Sequence, residues 1–194
     1  MKRIFILLII CDLFFCSMNA QIHFHANVAN NHLWRGMEVA DGMVFTSDIS
    51  ITDKNEYFRI GLWGGTNTSG TYKEFNHYVS FTYRQLNLSV WDTYNFSPGA
   101  TYNNKEYFNY SAHSTGRFID ATLSYRFGKQ FPLFVAWSTI LFGRDRNTSN
   151  TANKYSTFIY VEYPIYQNKG WNIDTGIGGA FALNEAGNDS HFYG

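Results

Sequence analysis

The sequence predicts an all-β fold, an antiparallel up-and-down transmembrane β-barrel, and three observations predict it. Beyond residue 20, apolar and polar residues alternate with period two, and no window carries the 3.6-residue repeat of an amphipathic helix. The gaps between alternating segments are long and short in turn, as in barrels with short periplasmic turns and longer external loops. The composition, with 18 Phe, 14 Tyr, 5 Trp and only 15% charged residues, favours aromatic strands over helices.

The leader comes first. Lys2 and Arg3 form a positive start, Ile4 to Ile10 and Leu13 to Phe15 an apolar stretch, and Ser17, Asn19 and Ala20 a small polar end before Gln21. This is the pattern of a secretory signal peptide over residues 1–20. A spanning helix needs roughly 20 apolar residues, and this run is shorter and carries Asp12. Cys11 and Cys16 both lie in the leader, and Phe14 and Phe15 precede Cys16 where a lipoprotein signal has small residues. The mature chain, one domain over residues 21–194, therefore contains no disulfide, thiol nucleophile or cysteine metal ligand. Lys and Arg total 15 against 15 Asp and Glu, which speaks against nucleic acid as a partner.

Nine strands follow. The clearest alternation places Ile119, Ala121, Leu123, Tyr125 and Phe127 on one face and Asp120, Thr122, Ser124 and Arg126 on the other. Leu86 to Phe96, Phe75 to Tyr83 and Trp171 to Leu183 repeat the pattern. It is weaker in Ile22 to Val28, Phe45 to Ile51, Tyr57 to Leu62, Leu133 to Phe142 and Tyr155 to Tyr163. The expected long gaps are Leu33 to Gly42, Asn67 to Tyr72, Ser97 to Arg117 and Gly143 to Asn153. The short ones are Asp53 to Asn55, Arg84 with Gln85, Gly128 to Gln130 and Tyr166 to Gly170. From a periplasmic N-terminus every long gap falls outside, a parity that a Greek-key sandwich has no reason to keep. Aromatics cluster at both strand ends: Tyr57, Phe58, Tyr83, Tyr125, Phe127, Tyr163 and Trp171 beside short turns, and Trp34, Tyr72, Phe75, Tyr94, Phe96, Phe118, Phe142 and Tyr155 beside long loops. Two belts at the two membrane interfaces are the expectation.

The segments Asn31-His32-Leu33-Trp34-Arg35-Gly36, Asp41-Gly42 and Gly61-Leu62-Trp63-Gly64-Gly65 resemble the signature of the TorF-type porin family, best from Asn30 to Phe96. Leu33 and Trp34 stand where that family usually carries Tyr or Phe. The resemblance implies an outer-membrane barrel passing small solutes, in contact with outer-membrane lipid, with no catalytic residue to carry over. Single-chain bacterial barrels have even strand numbers. Nine strands, with a tail from Asn184 to Gly194 expected to begin an external loop, thus predict a barrel truncated from about twelve. A closed eight-stranded barrel is the alternative.

On the assigned faces the lumen receives His23, His25, Arg59, Trp63, Glu74, Arg84, Asp120, Arg126, Glu162 and Asp174. Mixed signs in a narrow barrel point to paired charges, because an unpaired charge away from bulk water is costly. That leaves a filled structural or interaction barrel as the alternative to a pore. Asp92 is the misfit, a carboxylate on the apolar face near an external loop. His23 and His25 share a face about 7 Å apart, yet no third ligand is evident, so no metal site is expected. His113 and Ser114 are sequence neighbours in an Asn-, Tyr- and Ser-rich loop and are poorly placed for one to activate the other. Gly176, Gly178 and Gly179 precede no helix that would hold a phosphate, so they read as strand glycines. A barrel enzyme acting on lipids, with His113 in its chemistry, ranks third behind the pore and the filled barrel, so no enzyme and no bound cofactor are expected.

Overall fold

The computed structural model describes residues 20–168, 170–184 and 191–193. The expected signal peptide, Ala20 apart, lies outside the described residues. The chain is one antiparallel sheet in strict sequence order: β1 (Gln21–Trp34), β2 (Met37–Thr52), β3 (Phe58–Asn67), β4 (Lys73–Tyr83), β5 (Leu86–Asn95), β6 (Arg117–Arg126), β7 (Phe134–Gly143), β8 (Ser156–Asn168), β9 (Trp171–Ala182) and the short β10 (His191–Tyr193). The described residues contain no helix.

Because directly paired residues of an antiparallel ladder point to the same side, the registers define rows that run across the sheet. One row is Phe58, Phe81, Leu88, Leu123, Trp137 and Ile159. A second is Ile22, Ile51, Ile60, Val79, Val90 and Ala121. These belong to the outer face, where Ile22 is 73% exposed and Ile60 66%. The opposite face carries the row His23, Ser50, Gly61, Tyr78, Trp91, Asp120 and Ile140. Its Ser50, like Thr52, is 1% exposed. The usual order is thus inverted, with polar residues inside and apolar residues outside.

The sheet curls. Arg35, in the turn between β1 and β2, reaches Asp120 on β6, four strands along from β2. On a flat sheet that span is roughly 19 Å, four spacings of about 4.8 Å. Trp34 also meets Phe118, with ring centroids 5.7 Å apart. The tip of the β1–β2 hairpin therefore folds across the concave face. Register shifts between Ala29 and Asn31 and between His32 and Leu33 bend it, as bulges do. Beneath it Ala40, Val44 and Tyr72 form a small apolar cluster with Trp63 against its edge.

Three expectations are corrected. Leu33 to Gly42 is not a long loop: β1 and β2 continue through it to a two-residue turn, where Arg35 (φ 52°) and Gly36 (φ 77°) both take the positive φ of a type I′ hairpin. Long and short connections therefore do not alternate without exception. The tail is not wholly loop, since His191 to Tyr193 pair with Gly178 to Ala180 of β9. The eight-stranded closure is not observed: among the described residues β1 pairs only with β2, and the sheet is open between β1 and β10.

Candidate functional site: the concave face

Aromatic rings on the concave face occupy space that glycines on the neighbouring strand leave free. Tyr78 of β4 lies over Gly61 of β3, while Tyr160 and Phe158 of β8 lie over Gly176 and Gly178 of β9, and a methyl at any of these glycines would collide with the ring. This accounts for Gly61 in the Gly-Trp segment and for the glycine run of β9. Trp91 stacks on Tyr78 at 4.2 Å, and the Tyr78 hydroxyl donates to Asp48 at 3.0 Å.

Between this wall and the hairpin tip is a cavity of about 460 Å³. Trp34, Trp63, Trp91 and Phe118 give it apolar panels, and Glu74, Asp120, Arg35 and Arg144 give it charge. Glu74 accepts from the Asn76 amide at 2.8 Å and from the Asn95 amide at 3.2 Å. Arg35 donates to Asp120 Oδ2 at 2.5 Å, both side chains nearly buried, and its guanidinium lies 4.4 Å from the Trp34 ring centroid. Asp120 Oδ1 and Arg144 Nη1, both buried, have no partner in the protein. The Arg144 guanidinium is 3.6 Å from the Tyr102 ring centroid and 5.1 Å from that of Phe118.

The expected lumen residues divide into groups. Trp63, Glu74 and Asp120 come together around the cavity. Arg126 approaches Glu162 at 3.6 Å, near the short-turn end, with Tyr160 donating to the same carboxylate. By register His23, His25, Arg59 and Asp174 share the concave face without joining the cavity. His23 Nε2 lies 3.0 Å from Thr52 Oγ1. Arg84 is a correction: it occupies the tight turn between β4 and β5 at φ 55°, beside the Tyr83 ring, and not the lumen wall. Arg35 and Arg144 carry no signal in the sequence, since both sit in segments whose composition is that of loops. Trp91 and Tyr78, aromatics among polar neighbours, were the available signal for a built inner face.

Asp92 also finds its explanation. The connection 96–116 folds back over the outer rim, where Arg117, fully buried, binds Asp92 at 2.8 and 3.1 Å and packs its guanidinium against Tyr94, Tyr107 and Tyr110. Tyr110 donates to Asp92 at 2.7 Å. Burial, with the Asp92 carboxylate adding to it, pushes the Tyr110 hydroxyl up, so it remains a donor. His113 does not address Ser114: its Nδ1 lies 2.9 Å from the Asn150 carbonyl, and Asn150 donates back to the His113 carbonyl. No helix among the described residues is long and apolar enough to cross a membrane.

No family model, curated protein or solved structure matches the chain.

Proposed function

We propose that the chain forms the wall of an outer-membrane β-barrel, exported through the periplasm by its leader, whose lumen passes small solutes by diffusion. The observation that carries this reading is the inversion of the two faces, with apolar rows of mostly exposed Ile, Leu, Val and Phe outside and Ser, Thr, Asn and Asp buried inside. Soluble monomers rarely expose apolar patches beyond a few hundred Å², and apolar area left in water costs about 25 cal/mol per Å². A hydrocarbon surround removes that cost. Strands β3, β5, β6 and β7 have 10 residues and β4 has 11, inside the roughly 9–11 that span a bilayer when tilted.

Further support comes from the strand ends. At the short-turn end, ring contacts run from Tyr125 through Phe127 and Phe131 to Tyr163, and Tyr57 meets Tyr83. These suit an interfacial girdle. The segments that resemble the TorF-type porins also lie together, with His32 and Trp63 at 5.7 Å. In lipid, unpaired backbone groups cost several kcal/mol each, so the reading requires that β1 and the β9–β10 edge be paired within the membrane.

A second reading, a barrel whose lumen is filled, is favoured by the Arg35–Asp120 bond across the concave face. Two measurements test the proposal. Leu123→Arg, placing charge on the outer row, is expected to cost about 2–4 kcal/mol in vesicle refolding, and Thr122→Arg on the inner face less. Equal costs would refute the membrane reading. Ion conductance across planar bilayers then separates pore from filled barrel, a silent but inserted protein supporting the latter.

A further inference from the structure

We propose that the concave cavity is a binding site for a neutral saccharide, which names the solute class of the barrel and rests on that reading. Its volume of about 460 Å³ lies within the roughly 300–1,000 Å³ of small-molecule sites. The lining combines tryptophan panels (Trp34, Trp63 and Trp91) with two unused hydrogen-bonding atoms. Asp120 is 6% exposed, and its Oδ1 accepts nothing from the protein, while Arg144 Nη1 donates to nothing. Buried polar atoms without partners are rare and costly. Both side chains line the cavity and keep an unpaired acceptor and an unpaired donor covered at its wall, the complement of a ligand that donates and accepts as it seats.

Charge narrows the class. Asp120 is already paired through Oδ2 with Arg35, so its free oxygen is an acceptor within a neutralised pair and not an open site for a second cation. The Glu74 oxygens are taken by the Asn76 and Asn95 amides. Arg144 lies over the Tyr102 and Phe118 rings, whose faces attract its charge, and an incoming anion would also meet the carboxylates of Glu74 and Asp120. A neutral ligand disturbs none of these balances. Hydroxyl groups donate and accept at once, and a pyranose presents them around its edge with C–H groups on its faces, matching a lining that mixes tryptophan rings with polar side chains.

The test uses the full chain folded in detergent micelles, its folded state verified by heat-modifiable gel migration, with intrinsic tryptophan fluorescence as readout. Titration with maltose is expected to give a saturable change, while sodium phosphate and lysine hydrochloride give none. Asp120→Asn and Arg144→Gln are each expected to weaken the maltose response at least tenfold. In heat-modifiable protein, absence of a saturable maltose response, stronger binding of either charged probe, or an unchanged response in both variants would overturn the site and leave the barrel reading standing. Failure to reach the heat-modifiable form counts against the barrel reading itself, and with it this assignment.

Discussion

Asp92 sits among apolar residues on the outer face, and the side chains around it show how that face tolerates a carboxylate. Arg117 binds it twice, Tyr110 donates to it, and His77 stands 3.6 Å away. Removing one member of a buried pair leaves the other uncompensated. Arg117→Met is therefore expected to lower unfolding stability in micelles by about 3–5 kcal/mol, and the double variant with Asp92→Leu to recover much of it. A double variant as unstable as the single one would show that the pair matters for more than its charges. Gly61 and Gly64 offer a second contrast. Tyr78 fills the space beside Gly61, whereas the nearest atoms to a methyl at Gly64 are 3.9 Å away. Gly61→Ala is expected to cost about 1–3 kcal/mol by overpacking, and Gly64→Ala to be nearly neutral. Similar unfolding midpoints would mean that Tyr78 does not hold its place over the glycine. Alternation puts Trp63, Glu74 and Asp120 on one face because period two alone decides it, and the three line one cavity. It was silent on Arg117 and Tyr110, whose roles depend on a connection that folds back over the outer rim.

At the scale of elements, the alternating segments of β5, β6 and β9 are legible because each strand has one apolar face. The β1–β2 hairpin is not legible because its tip leaves the sheet: once Met37 to Met43 extend past the β3 register, no single face stays apolar, and two register shifts break the period. Asp, Asn and Gly in Asn30 to Gly42 then read as loop. Turn chemistry is clearer between β2 and β3. The Asp53 carboxylate accepts from the Phe58 N–H at 2.6 Å and the Asn55 N–H at 3.1 Å. The Phe58 bond, above all, holds its pKa below the usual carboxylate value. With the folded value depressed, Asp53 stabilises the fold fully above the unfolded pKa of about 3.9, and this contribution fades as pH falls through the lower folded value. Asp53→Asn is expected to be less stable than the wild type near neutral pH, the gap closing only in strong acid. A gap that stays constant as pH falls below about 3.9 would remove Asp53 from the titration.

Over the whole molecule the dominant fact is curvature, which one-strand alternation does not encode. The nine long strands, their order and the inversion of faces follow from local pattern, whereas the short β10 and the meeting of Arg35 with Asp120, across the curl of several strands, do not. That bond fixes the hairpin tip over the concave face, with Trp34 against Phe118 beside it. If the lumen of a solute-passing barrel is narrowed by this tip, the Arg35–Asp120 pair is what holds the constriction. Both side chains are nearly buried, so Arg35→Gln leaves Asp120 without its cation and is expected to cost about 3–5 kcal/mol at the pair and free the tip. The expected result in planar bilayers is a higher single-channel conductance for Arg35→Gln than for the wild type, with a lower thermal midpoint of the heat-modifiable form. Replacing Arg126, whose bond to Glu162 lies at 3.6 Å away from the cavity with the arginine half exposed, makes the appropriate comparison. Arg126→Gln is expected to leave conductance nearly unchanged, since exposed pairs contribute about 0–1 kcal/mol and no hairpin tip depends on this one. Equal and measurable conductance across the wild type and both variants would mean that the tip does not stand in the solute's path, and the filled-lumen reading would lose its main support.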